Sequence, residues 1–312
     1  MGAMYKFQHL ETLRAVVRTG SFATAARDLG YTSSAVSQQI AALEKATGLV
    51  LFEREARGIR TTAAATTLVG LGRNVLAGLA ELEAQARLLA TGAIGGIRLG
   101  SFPTASERVV PAMLSGFARA FPKAEISLAE GEPDELLDLL LDGGLDLAFV
   151  YEYGLTPRCW PDGTVTCPLL REDLLLLTRA DDSAAAGVEL SELSRRSWIT
   201  SREGTAGADS VDRLCAVAGF TPRILYRSNN YDVVRELVAA TGGVAILPAL
   251  GHRADPRITA RPVVREAAHR RVLIVHRAGS TNPVLAEFLA MIRAASPITL
   301  PHVSSLVPPA GG

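Results

Sequence analysis

The chain has 312 residues, of which 48% are hydrophobic and 21% are charged, and its 32 basic and 32 acidic side chains cancel. This composition is ordinary for a soluble globular protein, and the length allows two or three domains. No apolar run reaches the roughly 18 residues that a membrane span requires, and the N-terminus has no secretory core. We therefore expect a cytoplasmic protein with no membrane partner.

Charge is distributed unevenly along the chain. Residues 1–60 contain eight lysines or arginines and five aspartates or glutamates, a surplus of three, so the remainder carries a deficit of three. A modestly basic head on a mildly acidic body is consistent with a nucleic-acid-binding N-terminal end.

The stretch from Gly20 to Arg60 has the pattern of a helix, a short turn and a second helix. Gly20 and Gly30 stand where helices should end. Ser21 and Thr32 stand where the next helices should begin, because a hydroxyl can accept a hydrogen bond from the free first-turn amides. This pattern predicts a helix-turn-helix, whose second helix reads the major groove of DNA.

The second helix has an apolar face and a polar face. Val36, Ile40 and Leu43 follow the spacing of one buried stripe. Small polar side chains on the opposite face can reach base edges in a groove about 12 Å wide. The side chains that we expect at the DNA lie at the start of this helix and on its polar face: Thr32, Ser33, Ser34, Ser37 and Gln38.

A short strand from Leu49 to Phe52 and a glycine-containing hairpin, or wing, are predicted next. Arg54, Arg57 and Arg60 follow on this hairpin, and guanidinium groups suit phosphates or a narrow minor groove. We assign Arg54 and Arg57 to the DNA backbone or minor groove and end the DNA-binding domain at residue 61. The alternative is a three-helix packing module with a solvated basic loop.

Residues 62–90 have the pattern of one long helix. Its apolar positions are spaced 3, 4, 4, 3, 4 and 3 apart, as in a coiled-coil seam: Leu68, Leu71, Val75, Leu79, Leu82, Ala86 and Leu89. So narrow a seam predicts pairing of two chains, in a homodimer or homotetramer with two reading helices. The alternative is that the helix packs on its own C-terminal domain. Residues 91–96 are glycine-rich and form the predicted hinge.

From residue 97 to 295, strands alternate with helices. Predicted strands are Ile97–Phe102, Glu125–Glu130, Leu145–Tyr151, Asp173–Thr178, Trp198–Thr200, Ile224–Ser228, Val244–Pro248 and Arg271–His276. Predicted helices are Glu107–Ala120, Pro133–Asp142, Asp209–Ala218, Tyr231–Ala240 and Pro283–Ala294. This α/β pattern predicts two lobes joined by crossing strands, with a small-molecule cleft between them, and it resembles periplasmic solute-binding proteins. We expect the proline-rich tail, 296–312, to be disordered.

Over nearly its whole length, the chain resembles the LysR-type transcriptional regulators. The residues that carry the resemblance are Gly20-Ser21-Phe22, Ala25-Ala26, Leu29, Ala35-Val36-Ser37-Gln38-Gln39-Ile40, Leu43-Glu44, Gly48, Leu51-Phe52-Glu53-Arg54 and Arg57. The resemblance implies a winged helix-turn-helix, a linker helix and a two-lobed periplasmic-binding-protein-like effector domain. It also implies binding to a promoter operator in double-stranded DNA, modulated by a small-molecule effector. Where the family commonly has Gln-Pro and Arg in its reading helix, this chain has Ser33-Ser34 and Gln38.

Polar side chains flank the predicted cleft between strands and helices. Ser101 and Thr104 follow the first strand, and Ser201 and Thr205 lie in the facing loop. Hydroxyls and free amides at such helix starts suit an anionic or carbonyl group. The resemblance places both loops, together with the turns at 130–132 and 229–230, among inducer-contacting positions.

Two residues depart from the family at these positions. Phe102 stands where many relatives have serine, and Glu132 stands where many have a small hydroxyl residue. These two departures would narrow the cleft and add a negative charge. By the same resemblance, Asn229 in the turn at 229–230 is a further expected effector contact. We hypothesise an amine-bearing or bulkier neutral effector. The alternative is that the hydroxyls only cap helices and that Glu132 faces water.

Enzyme motifs are missing from the sequence. The five histidines lack ligand spacing, and neither a G-x-S-x-G elbow nor a Walker loop is present. We therefore expect no catalytic residues, no metal and no cofactor. The three cysteines, Cys159, Cys167 and Cys215, argue against a disulfide framework, and redox sensing by the first two is less favoured than incidental thiols.

These observations favour a sequence-specific DNA-binding regulator that responds to a small molecule. The alternative is a small-molecule binding protein whose helical head contacts other proteins.

Overall fold

The computed structural model describes residues 6–55, 58–91, 95–182, 189–265, 267–294 and 298–306, with backbone only for Arg54 and residues 87–91. The chain divides into two compact units. The N-terminal unit comprises residues 1–92 with 141–144, and the C-terminal unit comprises residues 93–140 with 145–312.

Three helices form the core of the N-terminal unit: α1 (Phe7–Thr19), α2 (Phe22–Leu29) and α3 (Ser33–Thr47). Ser21 caps α2 by accepting a hydrogen bond from the amide of Thr24 at 3.3 Å. Gly20, Gly30 and Gly48 end the helices in the left-handed conformation, at φ of 63°, 70° and 71°. The helix boundaries predicted from these caps are therefore confirmed.

An antiparallel hairpin follows the helices, formed by β1 (Phe52–Glu55) and β2 (Gly58–Thr61). The predicted strand from Leu49 to Phe52 is wrong because β1 begins only at Phe52. Leu49 and Val50 are exposed in the connection before it. The carboxylate of Glu44 in α3 accepts from the amide of Leu51 at 2.7 Å, which fixes this connection to the helix.

The long helix α4 spans Ala63–Thr91, 29 residues. Its seam residues Leu71, Val75 and Leu82 are 69%, 57% and 64% exposed. Ala63–Ala86 has a mean hydropathy of 1.2, so by length and composition this helix could cross a membrane. On that criterion, our expectation that no segment could do so is wrong: counting uninterrupted apolar runs missed this helix because Arg73 and Asn74 interrupt its apolar residues.

The C-terminal unit contains two lobes of α/β structure. Its strands are β3 (Gly96–Ser101), β4 (Glu125–Glu130), β5 (Leu147–Tyr153), β6 (Thr164–Arg179), β7 (Ser197–Thr200), β8 (Arg223–Arg227), β9 (Val244–Pro248), β10 (Ile258–Pro262), β11 (His269–Arg277) and β12 (Val303–Ser305). Its α-helices are α5 (Pro103–Arg108), α6 (Val110–Ala120), α7 (Pro133–Leu141), α8 (Ala206–Val217), α9 (Tyr231–Thr241) and α10 (Pro283–Ala294). Short 3-10 helices lie at Leu190–Leu193 and Ala249–Gly251.

The strand order is β4-β3-β5-β11-β6-β9-β7-β8, with β10 and β12 also paired to β6. The first lobe contains β3, β4 and β5 in parallel, flanked by antiparallel β11 and the first part of β6. The second lobe contains parallel β7, β8 and β9 beside the later part of β6. The 16-residue strand β6 therefore belongs to both lobes. The predicted two-lobed α/β architecture is confirmed.

Three predictions for the C-terminal unit differ from the structure by more than three residues. The predicted helix 107–120 is two helices that meet at Val109, because Pro111 cannot supply an amide to the preceding turn. The predicted strand from Asp173 begins nine residues earlier, at Thr164. Disorder is wrong for residues 298–306 of the tail, because β12 pairs with β6 there. The remaining tail residues lie outside the described part of the chain.

Candidate functional site

The polar face of α3 is open to solvent. Ser33, Ser34, Ser37 and Gln38 are exposed, and Thr32 caps the helix by accepting from the amide of Ala35 at 3.2 Å. The Thr32 and Ser34 hydroxyls also lie 3.0 Å apart. Among the described residues, the side chains of Ser37 and Gln38 make no hydrogen bond, so their donors and acceptors are available to a ligand.

The opposite face of α3 is fully packed. Val36, Ile40 and Leu43 are at most 2% exposed and belong to the core formed with α1 and α2. The hydroxyl of Thr12 in α1 donates to the side-chain oxygen of Gln39. The predicted orientation is therefore confirmed: apolar side chains point inward, and the polar face is left at the surface.

The wing presents fewer free guanidinium groups than its sequence indicates. Arg60 in β2 is paired with Glu53, and its Nε lies 3.2 Å from the carboxylate of Glu55. Its charge is thus compensated within the hairpin. The side chain of Arg54 and the whole of Arg57 lie outside the described residues, so their assignment to DNA stays a prediction.

A cavity of about 470 Å³ lies between the two lobes of the C-terminal unit. First-lobe residues come from the β3–α5 connection, the β4–α7 turn, β5 and β11. Second-lobe residues come from the loops before α8 and α9, from α9 itself and from the 3-10 helix after β9. The volume is within the range of small-molecule sites. The predicted cleft at the junction of the lobes is therefore present.

Four of the seven predicted effector residues line this cavity: Phe102, Thr104, Glu132 and Asn229. The other three, Ser101, Ser201 and Thr205, are outside its lining, which corrects the prediction. Ser101 is completely buried at the end of β3. Thr205 caps α8, accepting from the amide of Ala208 at 3.3 Å and donating to the carbonyl of Arg202. For Thr205, the helix-cap alternative is the one observed.

A buried arginine that the sequence analysis did not single out forms part of the cavity wall. Arg270 in β11 lies between two aromatic rings, 4.9 Å from the centroid of Phe102 and 4.8 Å from that of Tyr151. Its guanidinium donates to the hydroxyl of Thr104 at 2.8 Å and to Glu172 in β6 at 2.6 Å. One side chain thus makes two cation–π contacts and donates hydrogen bonds to two further residues.

Glu172 connects this arginine to the second lobe. Its second carboxylate oxygen accepts from the amide of Leu250, in the 3-10 helix after β9, at 2.6 Å. Burial raises the pKa of Glu172, and the adjacent Arg270 opposes that shift. Burial disfavours the charged form of Arg270, but Glu172 together with Tyr153, Tyr231 and Tyr151 more than offsets it, so the net pKa direction is upward. The guanidinium therefore stays charged.

Tyrosines surround the ion pair and keep their protons. Burial raises the pKa of Tyr151, Tyr153 and Tyr231, and a hydrogen bond joins Tyr153 to Tyr231. The hydroxyl of Tyr151 donates to the carboxylate of Glu132 at 2.6 Å. Glu132 is thus half-buried and held in place, so the alternative in which it faces only water is not observed.

Further charged side chains line the cavity, although none was predicted from the sequence. Arg235 in α9 pairs with Asp232 and donates to the carbonyl of Gly251 at 2.6 Å. The pair between Glu107 in α5 and Arg253 after the second 3-10 helix connects the two lobes. No local pattern indicates the second pair, because Glu107 and Arg253 are 146 positions apart in the chain.

Comparison with known proteins gives matches over both units. A sequence model described as "Bacterial regulatory helix-turn-helix protein, lysR family" matches residues 7–66, and one described as "LysR substrate binding domain" matches residues 90–297. The chain is 33% identical to the "Small neutral protease regulatory protein" of Streptomyces coelicolor, over 93% of this chain and 92% of that protein. It is 29% identical to the "Hydrogen peroxide-inducible genes activator" of Dickeya chrysanthemi, over 87% of this chain and 89% of that protein.

A solved structure covers the same span. Full-length CbnR in complex with its target DNA is 27% identical, with a TM-score of 0.56 over 93% of this chain and 99% of that chain. The matches to both units define a DNA-binding transcriptional regulator with an effector-binding domain. The chain belongs to the LysR family of transcriptional regulators.

Proposed function

We propose that α3 enters the major groove of a promoter operator and reads base edges with Ser34, Ser37 and Gln38. The observation that carries this proposal is the division of α3 into a buried apolar face and an exposed polar face. Thr32 and Ser33 would lie at the groove entrance, and Arg54 and Arg57 would contact the backbone or minor groove. The DNA-binding domain would comprise residues 1–61.

The exposed seam of α4 pairs two chains in this proposal. Leu71, Val75 and Leu82 are apolar and exposed at coiled-coil spacing, and a homodimer or homotetramer would cover them. Residues 62–90 would then be the dimerisation helix and 91–96 the hinge before the effector domain, 97–295. Pairing places two reading helices on one two-fold-related site.

The cavity between the lobes binds the small-molecule effector. A ligand that binds one arrangement of the lobes more tightly than another would shift their population and change the placement of paired reading heads. The protein would act in the cytoplasm without catalysing a reaction. That last point is supported by the family models that match the chain, which describe a regulatory helix-turn-helix protein and a substrate-binding domain.

The experiment that tests this function is a footprint on the DNA upstream of the protein's own gene, run with and without a metabolite panel. We expect protection of a two-fold-related site, steep loss of affinity with added salt and a changed footprint with one ligand. Binding without sequence preference would instead favour a helical head that contacts proteins.

A further inference from the structure

Most of the charges on the cavity wall are compensated within the chain. Arg270 is paired with Glu172, Arg235 with Asp232, and Arg253 with Glu107. Two charged lining residues remain, Glu132 on the first lobe and Arg202 on the second. In the part of the chain that the structure describes, neither has an oppositely charged side chain within 4.0 Å.

Glu132 is positioned to receive a cation. Its backbone amide is held by the carboxylate of Glu135 at 3.1 Å, and the neighbouring amide of Gly131 donates to Ser101 at 3.1 Å. Among the described residues, only the hydroxyl of Tyr151 donates to its carboxylate, through Oε2. A carboxylate has about four acceptor sites, so most of its capacity is open to a ligand.

Backbone hydrogen bonds hold Arg202 in place, and its guanidinium has no hydrogen-bond or ion-pair partner among the described residues. Its amide donates to the side-chain oxygen of Asn229 at 2.9 Å, and its carbonyl accepts from the hydroxyl of Thr205 at 2.7 Å. These bonds tie the loop before α8 to the loop before α9. The guanidinium is exposed and lines the cavity, with five donors that suit a carboxylate.

We propose that the effector is a small zwitterion of the amino-acid class, whose ammonium group binds Glu132 and whose carboxylate binds Arg202. The proposal rests on the proposed role of the cavity as the effector site and deepens it. A ligand with only one charge would leave the opposite wall charge unpaired when water is displaced, which is unfavourable. A zwitterion satisfies both walls, and a cavity of about 470 Å³ accommodates an amino acid.

Binding can be tested on the full-length protein by thermal melting, followed by calorimetric titration. The probes are the twenty standard amino acids at 10 mM and, for each one that raises the Tm, its α-amide and its N-acetyl derivative. The amide lacks the carboxylate charge and the N-acetyl derivative lacks the ammonium charge, while the side chain is unchanged. We expect at least one amino acid to raise the Tm and both derivatives to bind about tenfold more weakly or worse.

Two variants assign each charge to its residue. Glu132→Gln should remove the preference for the amino acid over its N-acetyl derivative but keep the preference over the amide. Arg202→Gln should remove the preference for the amino acid over its amide but keep the preference over the N-acetyl derivative. The matched controls are Asp134→Asn, which removes an exposed carboxylate beside Glu132, and Glu203→Gln, which removes one beside Arg202; both residues lie outside the cavity lining. These controls should keep wild-type affinity and both preferences.

Several results would overturn the proposal. It fails if no amino acid raises the Tm, if the N-acetyl derivative or the amide binds as tightly as the parent, or if the two variants keep both preferences. It also fails if, without ligand, the double variant lowers the Tm by no more than each single variant does, because Glu132 and Arg202 would then pair with each other. A footprint that responds to a different metabolite would leave the effector function standing while this proposal fails.

Discussion

Arg270 and Glu172 form an ion pair at 2.6 Å although they are 98 positions apart in the chain, and their side chains are only 2% and 0% exposed. They face each other across the two antiparallel strands β11 and β6. The guanidinium contacts first-lobe residues, while the carboxylate accepts from the amide of Leu250 in the second lobe. The ion pair therefore connects the two lobes at β6, the strand that both lobes share.

Glu172→Gln should strongly destabilise the C-terminal unit. Removing one partner leaves a buried guanidinium without its counter-charge, a change that typically costs about 3–5 kcal/mol. Both tryptophans, Trp160 and Trp198, belong to this unit, so intrinsic fluorescence during urea unfolding reports on it alone.

Asp173→Asn is the matched control because Asp173 is the next residue of β6 and its side chain is 42% exposed. The urea unfolding midpoint of the Asp173→Asn variant should differ from that of the wild type by no more than the equivalent of about 1 kcal/mol. If Glu172→Gln and Asp173→Asn shift the urea midpoint equally, the buried ion pair does not stabilise this unit more than an exposed carboxylate does.

Gln38→Ala should relax sequence preference at one base pair of the operator. Loss of a bidentate contact costs about 1–3 kcal/mol of discrimination, whereas Arg54→Ala should weaken binding to all sequences similarly. Fluorescence anisotropy on operator variants separates the two effects. Gln85→Ala, the same substitution in α4, should change neither the sequence preference nor the overall affinity for DNA. If the Gln38 variant keeps its sequence preference, α3 does not read the operator through this face.

Leu82→Glu should separate paired chains. A carboxylate in an apolar seam would be buried without a partner, so the oligomer should dissociate at least about tenfold more readily. Sedimentation velocity measures the change in mass. Asn74→Glu places the same charge on an exposed polar position of α4, and its sedimentation should match the wild type. If both variants dissociate alike, added charge rather than the seam is responsible.

His252 should make the C-terminal unit less stable at mildly acidic pH. Burial, reinforced by Arg235, lowers the pKa of His252, and its Nδ1 is buried without a hydrogen-bond partner among the described residues. The unfolded chain therefore binds a proton at a higher pH than the folded chain. The stabilising contribution is complete above about pH 6.5 and declines as the pH falls below it. The difference in urea midpoint between wild type and His252→Gln should stay nearly constant from pH 7.5 to about pH 6.5 and narrow from there to pH 5.5. A difference that is constant over the whole range would contradict this.

Thiol reactivity should distinguish the cysteines. Cys159 is exposed, whereas burial, reinforced by Asp212, raises the pKa of Cys215 to about 12. At pH 8, Cys159→Ser should remove the fast phase of the reaction with 5,5′-dithiobis(2-nitrobenzoate), and Cys215→Ala should leave it unchanged. Peptide mapping after peroxide treatment tests the less favoured redox hypothesis, because a Cys159–Cys167 disulfide would support it.

Local signals were enough to predict much of the fold. The bounds of β4 and α10 agree with those predicted, since both have clear periodicity and α10 begins at Pro283, next to a capping asparagine. The first nine residues of β6 were missed because they include Pro168, Arg171 and Glu172, which as a sequence resemble a solvated loop. These residues are in a strand because β11 pairs with it.

The cavity was harder to predict because its charged residues acquire their roles only through distant partners. Arg270 would be taken for a surface residue, and nothing near it in the sequence indicates Phe102, Tyr151 or Glu172. The hydroxyl residues at helix starts were predicted as ligands by a local rule. That rule does not distinguish a residue that lines a cavity, such as Thr104, from one that caps a helix, such as Thr205.

The C-terminal strand β12 runs beside Leu170–Glu172 of the strand shared by both lobes. The amide of Asp173 donates to His302, and the amide of Leu306 donates to Leu169, so the end of the chain braces β6 next to its buried carboxylate. A protein truncated before Val303 would lose that brace and leave backbone groups of β6 without partners. Shortening this terminus to aid crystallisation, or fusing an affinity tag close to residue 306, therefore risks altering how the regulator responds to its ligand.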